Sequence, residues 1–554
     1  GGKPVAASAA TRHGARAGFE IEGAVLGLSP GAAGVVAVVE GDFLKLEVSQ
    51  GGTVSVRRGE RERRAVGRPE RGAESAGSGA EDEPDSDVRP LPSRFAAPLL
   101  APKAVFVKNA TVWTAGPQGN LENANLLVVD GKVAAVGADA AVPPALLASV
   151  VEIDAAGKAV TPGLIDAHSH TAIDGSVNEA THNVSAEVRI VDVVDPLDVA
   201  IYRELAGGLT AANVLHGSAN AIGGQNAVLK MRFGEGPDGI LLAGAPAGIK
   251  FALGENPKQS NWPSPRPRYP QTRMGVSALI RERFLAARDY RRKQKEADAA
   301  KKRGETVMPV RTDDQLEAIA EVLEGKRAIH AHAYVKQEIL DLIRVCEEFG
   351  IRVGTFQHVL EGYKVADEIA AHGAGASSFS DWWAYKFEVY DAIPYSPALM
   401  HERGVLVTLN SDSDELARRL NLEAAKAVKY GGVPREEAFK FVSANAAKQL
   451  GVEKRIGSLE AGKDADFVLW SGDPLDTRTV CLQTWIDGKK YFDREADQKL
   501  RPMLAAEKSD LAAKARAAAS RGGERAGSAP SSRPPEETHA CDDLEDRGNG
   551  EVIR

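Results

Sequence analysis

The chain has 554 residues, of which 43% are hydrophobic and 26% charged, and its formal net charge is −8. This balance is typical of an ordinary globular protein and argues against a nucleic-acid partner. No run of about 18 apolar residues is present, which argues against a membrane span. The three cysteines, Cys346, Cys481 and Cys541, are odd in number and far apart, which excludes a disulfide framework. Because the first residue is Gly1, the sequence is compatible with a cytoplasmic protein or with an exported protein that has lost a signal peptide.

The two terminal regions differ in composition from the rest of the chain. Residues 1–57 contain strand-like stretches and are interpreted as the remnant of a small β module. Residues 58–102 are rich in Arg, Glu, Gly, Ser and Pro, and too little apolar surface is available there to offset the entropy of ordering. We therefore expect a disordered linker. Residues 494–554 form a polar tail that we expect to be partly disordered, with a solvated helix at its start.

Hairpin signals occur on both sides of a long central block. The stretch "NLLVVDGKVAAVG" places Asp130-Gly131 between two apolar runs, and "TWIDGKKYFD" places Asp487-Gly488 in the same way. Asp-Gly tolerates the positive φ angles of a tight hairpin turn. We expect residues 103–158 and 454–493 to pair in space as one small composite β-sandwich domain.

The central block, residues 159–453, alternates short apolar runs with helical patterns. Two helical segments are "DQLEAIAEVLEG" and "KQEILDLIRVCEEFG", and the second has apolar residues at helix-face spacing. Strand–helix alternation over about 250 residues is typical of a (β/α)₈ TIM-type barrel. An open doubly wound sheet is the alternative, but no glycine-rich phosphate-binding fingerprint supports it. The predicted fold class is therefore α/β.

Several histidines close the predicted strands of this block. His168 and His170 in "TPGLIDAHSH" are two residues apart, and so they can face the same side of a strand. "AIHAHAY" contains a similar pair, His330 and His332, "VGTFQH" ends with His358, and "VTLNSD" ends with Asp412. Imidazoles and a carboxylate that converge on the mouth of a barrel form a ligand set suited to Zn²⁺ or a similar ion. An isolated pair would more commonly be packed histidines, but this pair is not isolated.

The motifs "TPGLIDAHSH" and "GSLEAGKDADFVLW", together with the split β domain, resemble the amidohydrolase superfamily over residues 103–493. Imidazolonepropionase and the metal-dependent prolidases are the members that it resembles most. The resemblance implies a metal-dependent barrel that hydrolyses C–N bonds other than standard peptide bonds. It also implies a divalent ion, with zinc as the first choice, and a small-molecule substrate. A homo-oligomer is compatible with this interpretation.

The family pattern can be transferred to matching positions in this chain. It implies metal ligands at the following residues: His168, His170, Lys250, His332, His358 and Asp412. Lys250 is the match for a lysine that CO₂ carboxylates so that it bridges two metals, but it could equally bind substrate or pair with a carboxylate. The ion count is therefore one or two. Asp412 would act as proton shuttle for a metal-activated water, and His332 or His358 could stabilise the oxyanion. Asp414 would instead cap the following helix.

Substrate contacts are less well defined by the sequence. Candidates are His216, Asn220 and Gln225, which follow the second predicted strand, and His330, which lies two residues before His332. His216 could equally be a core histidine, and the Gly223-Gly224 pair beside it could be a plain turn. The long loop 254–275 carries Lys258, Arg266, Arg268 and Arg273, which hint at a substrate carboxylate, although a solvated surface loop explains them as well.

Two other functions remain compatible with the same barrel. One is a binding protein that has lost catalysis, although retention of the complete ligand set argues against it. The other is a metal-dependent isomerase or decarboxylase, since an ion can polarise a carbonyl without the addition of water. Chelator sensitivity would test the first alternative, and product mass would test the second.

Overall fold

The computed structural model describes strands between residues 11 and 58 and then residues 98–260, 268–380 and 386–521. Gly1–Val88 and Arg89–Arg554 are two separate compact units. The strands of the first unit are β1 (Thr11–His13), β2 (Arg16–Glu22), β3 (Ala33–Val39), β4 (Asp42–Val48) and β5 (Thr53–Arg58). They form an antiparallel sheet in the order β1-β2-β5-β4-β3. Most of the predicted linker, residues 59–97, lies outside the described residues, as do residues 522–554 of the tail.

The second unit alternates strands and helices along most of its length. Its strands are β6 (Ala104–Trp113), β7 (Asn120–Val129), β8 (Lys132–Gly137), β9 (Val150–Asp154), β10 (Ala159–Pro162), β11 (Leu164–Ser169), β12 (Leu209–Val214), β13 (Ile222–Gln225), β14 (Ala227–Lys230), β15 (Ala247–Ala252), β16 (Arg327–His332), β17 (Val353–Gln357), β18 (Gly375–Ser378), β19 (Leu406–Leu409), β20 (Phe467–Trp470), β21 (Cys481–Ile486) and β22 (Lys489–Asp493). Its helices are α1 (Val199–Leu205), α2 (Pro237–Ile240), α3 (Arg273–Lys302), α4 (Asp314–Leu323), α5 (Lys336–Glu348), α6 (Ala366–His372), α7 (Ser396–Glu402), α8 (Asp414–Ala417), α9 (Leu420–Gly431), α10 (Arg435–Lys440), α11 (Ala444–Gln449) and α12 (Arg494–Arg521). Among the described residues, no helix combines the length and apolar character that crossing a bilayer requires.

An eight-stranded mixed sheet combines strands from two distant parts of the sequence. Its order is β22-β21-β20-β10-β6-β7-β8, and β9 also pairs with β6. The central strand β10 runs parallel to β6 and antiparallel to β20. The interior face of this sheet buries a separate apolar cluster, in which Trp485 stacks on Phe467. Segments on either side of the central block therefore share one sheet.

Both hairpins predicted from Asp-Gly pairs are confirmed. Asp130 and Gly131 join β7 to β8 with φ of +47° and +76°, and Asp487 and Gly488 join β21 to β22 with φ of +51° and +69°. Positive φ at both central residues is the geometry of a type I′ turn, which matches the twist of the flanking strands. The two turns lie against each other. A Cβ added at Gly131 would lie only 2.8 Å from the carbonyl oxygen of Asp487, so this position has no room for a side chain.

The central block contains two further sheets. One has the order β11-β12-β14 and the other the order β13-β15-β16-β17-β18-β19. All the predicted strands of this block are present, and β15 to β19 pair in parallel in sequence order, with α3 to α7 in the connections. The segment after β19 reaches β11, since the Asp412 N–H donates to the His168 carbonyl oxygen at 3.0 Å. The predicted α/β class is therefore confirmed.

Alternation along β15 and β16 decides which side chains face the helices. Ile249, Phe251 and Ile329 are fully buried in the main apolar core. Lys250 and His330 occupy the intervening positions and are register partners on the adjacent strands, so they point to the opposite face. The same pattern that anchors the helices therefore presents ionisable groups on the other face of the strands.

A buried ion cluster joins the central strands to the composite sheet. The Nζ of Lys230, at the end of β14, lies 2.8 Å from Asp464 Oδ2 and 3.2 Å from Asp466 Oδ1, and it also contacts Asp487. Lys230 is fully buried. Burial alone would lower its pKa, but the three carboxylates raise it above the usual lysine value. The ammonium group therefore stays charged.

We expect Lys230→Met to lower the free energy of unfolding by about 3–5 kcal/mol, because buried carboxylates lose the cation that they share. Urea denaturation followed by circular dichroism would measure the loss. Lys132→Met is the matched control, since Lys132 pairs with the same Asp464 but is 53% exposed. That control should cost less than about 1 kcal/mol. Equal losses in the two variants would contradict the proposed importance of the buried cluster.

Candidate metal centre

Two histidines at the end of β11 face each other. The Nε2 atoms of His168 and His170 are 3.3 Å apart, and both side chains are buried. The Nδ1 of His170 lies 2.8 Å from the carbonyl oxygen of Leu215, which follows β12. A ring nitrogen at this distance from a carbonyl carries the proton and donates it, which fixes the tautomer and leaves Nε2 as the acceptor nitrogen. The HxH spacing thus places two imidazole nitrogens at one point.

Asp412, which follows β19 near the end of the central block, completes this cluster. Its Oδ1 lies 2.9 Å from the Nε2 of His170 and 3.3 Å from that of His168. Asp412 is fully buried and has a φ of +50°, a left-handed conformation that is uncommon for residues other than glycine, although Asp adopts it more readily than most. Burial raises the pKa of Asp412, but His358, His170 and Lys250 together lower it to about 2. The carboxylate is therefore ionised at neutral pH.

These three residues fit a metal ion by their chemistry. Their nearest nitrogen and oxygen atoms all lie within 4.8 Å of one another, and all three residues are buried. Two imidazole nitrogens and one carboxylate oxygen are donors that zinc and similar divalent ions accept. Burial lowers the pKa of His168 well below its usual value, and the nearby Lys250 lowers it further, so the ring stays neutral as a ligand must be.

Two more histidines extend the cluster. The Nε2 of His358 lies 3.4 Å from Asp412 Oδ2, and its ring centroid is 4.3 Å from that of His168. The ring of His332 is 5.2 Å from the ring of His358. Both histidines are fully buried, and Tyr334 packs edge-on against His332 at 4.5 Å. The structure thus brings together all four histidines that the family pattern matched.

Lys250 reaches the same cluster from β15. Its Nζ lies 3.0 Å from the Nε2 of His168, and its side chain is fully buried. Every residue that the resemblance implied as a metal ligand therefore lies in one buried group formed by β11, β15, β16, β17 and the segment after β19.

The sequence of the central block matches a known family. The model of the amidohydrolase family matches residues 159–496, which is more than half of the chain. The chain belongs to the amidohydrolase family. The resemblance inferred from the sequence is therefore confirmed, and members of this family typically depend on a metal ion.

Individual relatives agree with the family assignment. The chain is 30% identical over 429 residues to the amidohydrolase tasK of Hapsidospora irregularis, covering 71% of this chain but 43% of that protein. It is 28% identical over 167 residues to the imidazolonepropionase of Thermoplasma volcanium, covering 28% of this chain and 40% of the relative. The chain thus spans less than half the length of these curated relatives.

A solved structure extends the likeness to the fold. An amidohydrolase from Thermotoga maritima matches 70% of this chain and all of its own chain, with a TM-score of 0.64 and 34% identity. This similarity implies a fold that contains a TIM-type barrel.

The candidate substrate residues of this amidohydrolase make contacts within the protein. The Nε2 of His216 accepts a hydrogen bond from the Glu179 N–H at 2.9 Å, and its Nδ1 lies 2.9 Å from the Gly217 carbonyl. Burial lowers the pKa of His216 to about 4, so the ring is neutral. Gly223 and Gly224 belong to β13, and a Cβ on Gly223 would lie 2.8 Å from the His216 ring. The glycine pair therefore makes room for this histidine.

The two amides and the deeper histidine are also built into the scaffold. Asn220 donates to the Ser185 hydroxyl at 2.6 Å and accepts from Arg268 at 3.1 Å, and Gln225 donates to a main-chain carbonyl at 2.9 Å. His330 is buried beside Lys250, and burial followed by the charge of that lysine lowers its pKa to about 4. Direct contact between these side chains and a substrate remains a prediction.

The described cations of the loop 254–275 contact protein groups. Arg273 lies 2.6 Å from Glu338 Oε1, Lys258 lies 3.9 Å from the same oxygen, and Arg268 donates to main-chain carbonyls. Arg266 lies outside the described residues. A carboxylate-bearing substrate therefore gains no support from these contacts.

The sequence alone did not indicate Asp166 and Ser411 as residues of the centre. Asp166 accepts hydrogen bonds at 3.1 Å from the N–H groups of both His168 and Ser411, and it also accepts from the Ser411 hydroxyl. Burial raises the pKa of Asp166 to about 7, although these hydrogen bonds lower it. The available signal was that Asp166, His168 and His170 alternate along one strand.

The prediction for Asp414 was wrong, since Ser413 caps α8 and accepts from the N–H groups of its first turn.

Proposed function

We propose that the protein is a metal-dependent amidohydrolase that cleaves a C–N bond other than a standard peptide bond. Non-standard peptides, cyclic amides and N-acyl amino acids are the substrate classes that we consider. The buried cluster of His168, His170 and Asp412 is the observation that supports this proposal. Imidazoles and a carboxylate grouped at the carboxyl ends of parallel strands match the place where barrel enzymes carry out their chemistry.

The proposed fold closes the two central sheets into a (β/α)₈ barrel over residues 159–453. The hydrogen bond from Asp412 to His168 supports closure, because it links the segment after β19 to β11. Residues 103–158 and 454–493 would form the composite β-sandwich domain. The shared eight-stranded sheet supports that division.

Zinc is the ion that we propose, held by His168, His170 and Asp412, with His332 and His358 beside it. A divalent ion bound there would polarise the substrate carbonyl and increase the acidity of water. Asp412, which is ionised at neutral pH, accepts one proton from the attacking water as the carbon–oxygen bond forms. It then delivers this proton to the leaving nitrogen as the C–N bond breaks. His332 or His358 would stabilise the oxyanion that precedes this cleavage.

The chemical state of Lys250 determines whether the site would hold one metal ion or two. We propose that its buried amine reacts with CO₂, with loss of one proton, to give a carbamate that would serve as a ligand for a second ion, and its position beside His168 supports this. Elemental analysis of protein purified with bicarbonate should then find two ions per chain, and the Lys250→Met variant should retain one. One ion in both proteins would instead leave Lys250 as a cation that contacts the substrate or a carboxylate.

Product analysis tests the function itself. The protein would be incubated with N-acyl amino acids, dipeptides and cyclic amides, with and without a chelator, and the products weighed by mass spectrometry. A hydrolase adds the mass of one water across the cleaved bond, and the chelator abolishes this reaction. Products isomeric with the substrate, or lighter by CO₂, would instead indicate an isomerase or decarboxylase. No turnover with metal bound across the panel would favour a binding protein.

A further inference from the structure

One carboxylate beneath the metal cluster contacts both chain segments that carry it. Asp166 lies two residues before His168 on β11, and it is fully buried. Its Oδ1 accepts from the N–H groups of His168 and Ser411, each at 3.1 Å. Its Oδ2 accepts from the Ser411 hydroxyl. Three donors from two distant segments therefore converge on one side chain.

The contacted segments hold the ligand atoms in place. Ser411 immediately precedes Asp412, whose φ of +50° turns its carboxylate toward His168 and His170. The Asp412 N–H donates to the His168 carbonyl at 3.0 Å, so the N–H groups of two consecutive residues, Ser411 and Asp412, are both bound to β11. β19 ends three residues earlier, at Leu409, so the strand ladder does not reach this turn.

We propose that Asp166 is a positioning residue that sets the position of Asp412 relative to His168 and His170 through Ser411. This inference rests on the proposed function, because it assigns Asp166 a role toward the same metal. Without the three bonds, the turn at residues 411–412 is held less firmly, and Asp412 can relax from its left-handed conformation, which is uncommon for residues other than glycine. The carboxylate of Asp412 would then sample positions away from the two imidazoles.

Three variants remove the contacts in steps. Ser411→Ala removes only the hydroxyl bond, Asp166→Asn keeps an oxygen that can accept from both N–H groups, and Asp166→Ala removes every acceptor. Side chains that orient metal ligands typically change metal affinity by about 10–100-fold when replaced. We expect a loss in this range for Asp166→Ala and a smaller loss for Asp166→Asn and Ser411→Ala.

Metal affinity would be measured by competition with a chromophoric chelator, using Zn²⁺ as the probe. The visible spectrum of the Co²⁺-loaded protein gives a readout that does not depend on turnover, because its bands respond to the position of the ligands. Activity would be split into kcat and KM, and a displaced Asp412 should lower kcat more than it raises KM. Ser396→Ala is the matched control, since Ser396 is equally buried but lies on α7, a helix that carries none of the candidate ligands.

The outcomes separate this inference from the proposed function. An unmodified protein that binds no metal would overturn both. If the unmodified protein binds metal, unchanged affinity and an unchanged Co²⁺ spectrum in Ser411→Ala and Asp166→Asn would overturn the role of Asp166 alone. Should Asp166→Ala fail to fold, those two milder variants still decide the question. Equal losses in Ser396→Ala would also overturn it, because the effect would then be that of any buried hydroxyl.

Discussion

Asp412→Asn is expected to retain most of its metal and to lose hydrolysis by about 10²–10⁴-fold, the usual contribution of a positioned acid–base group. The amide has nearly the shape of the carboxylate and keeps an oxygen near His168 and His170. It cannot accept a proton at neutral pH, however, and so transfer from the attacking water to the leaving nitrogen is lost. Steady-state kinetics and elemental analysis of the same preparation would measure the two properties separately.

The matched control for this variant is Asp414→Asn, which removes a carboxylate only two residues away. The cap of α8 is Ser413, so this change should leave both turnover and metal content close to those of the unmodified protein. Full activity in Asp412→Asn together with loss in Asp414→Asn would transfer the proton-shuttle role to Asp414. Loss of metal from Asp412→Asn would show that the carboxylate is needed chiefly as a ligand.

His168→Ala and His170→Ala should each purify without their metal. Each change removes one of two nitrogens whose separation is 3.3 Å, and no other described histidine can replace it from the same strand. Zinc binding depends strongly on the complete ligand set, so we expect metal content to fall to background and activity to fall with it. Elemental analysis of dialysed protein would measure the occupancy.

His401→Ala provides a control for the loss of an imidazole as such. His401 lies on α7 and packs edge-on against Phe441 at 5.2 Å, away from the cluster. This variant should keep the metal content of the unmodified protein. Unchanged occupancy in His168→Ala and His170→Ala would contradict their assignment as ligands, whichever ion is bound.

Local patterns in the sequence were sufficient to predict much of the fold. The Asp130-Gly131 and Asp487-Gly488 turns were predictable, because their positive φ angles are a local backbone property of these residues. The strands that carry His168, Lys250 and His332 were also predictable, since apolar and ionisable residues alternate along them. Position on a strand then indicated which side chains could converge.

The remaining features depend on contacts between distant residues. Asp412 was expected to close a strand, but it lies three residues beyond β19 in a left-handed conformation that local propensity disfavours. Hydrogen bonds from residues 411 and 412 to β11 hold that conformation. Asp166 was missed because its partner Ser411 is 245 residues away in the sequence. Similarly, the bonds that engage His216 and Asn220 come from loops whose positions the sequence does not specify.

The divided sheet has a consequence for synthesis on the ribosome. β10 has all four of its residues buried in the finished sheet, and its neighbour β20 is translated only after the whole of residues 163–466. Until then one edge of β10 carries unpaired N–H and carbonyl groups beside apolar side chains, which is a template for aggregation. A nascent chain stalled or cleaved before Phe467 should therefore depend on chaperones, even though the strands around the metal centre have already emerged.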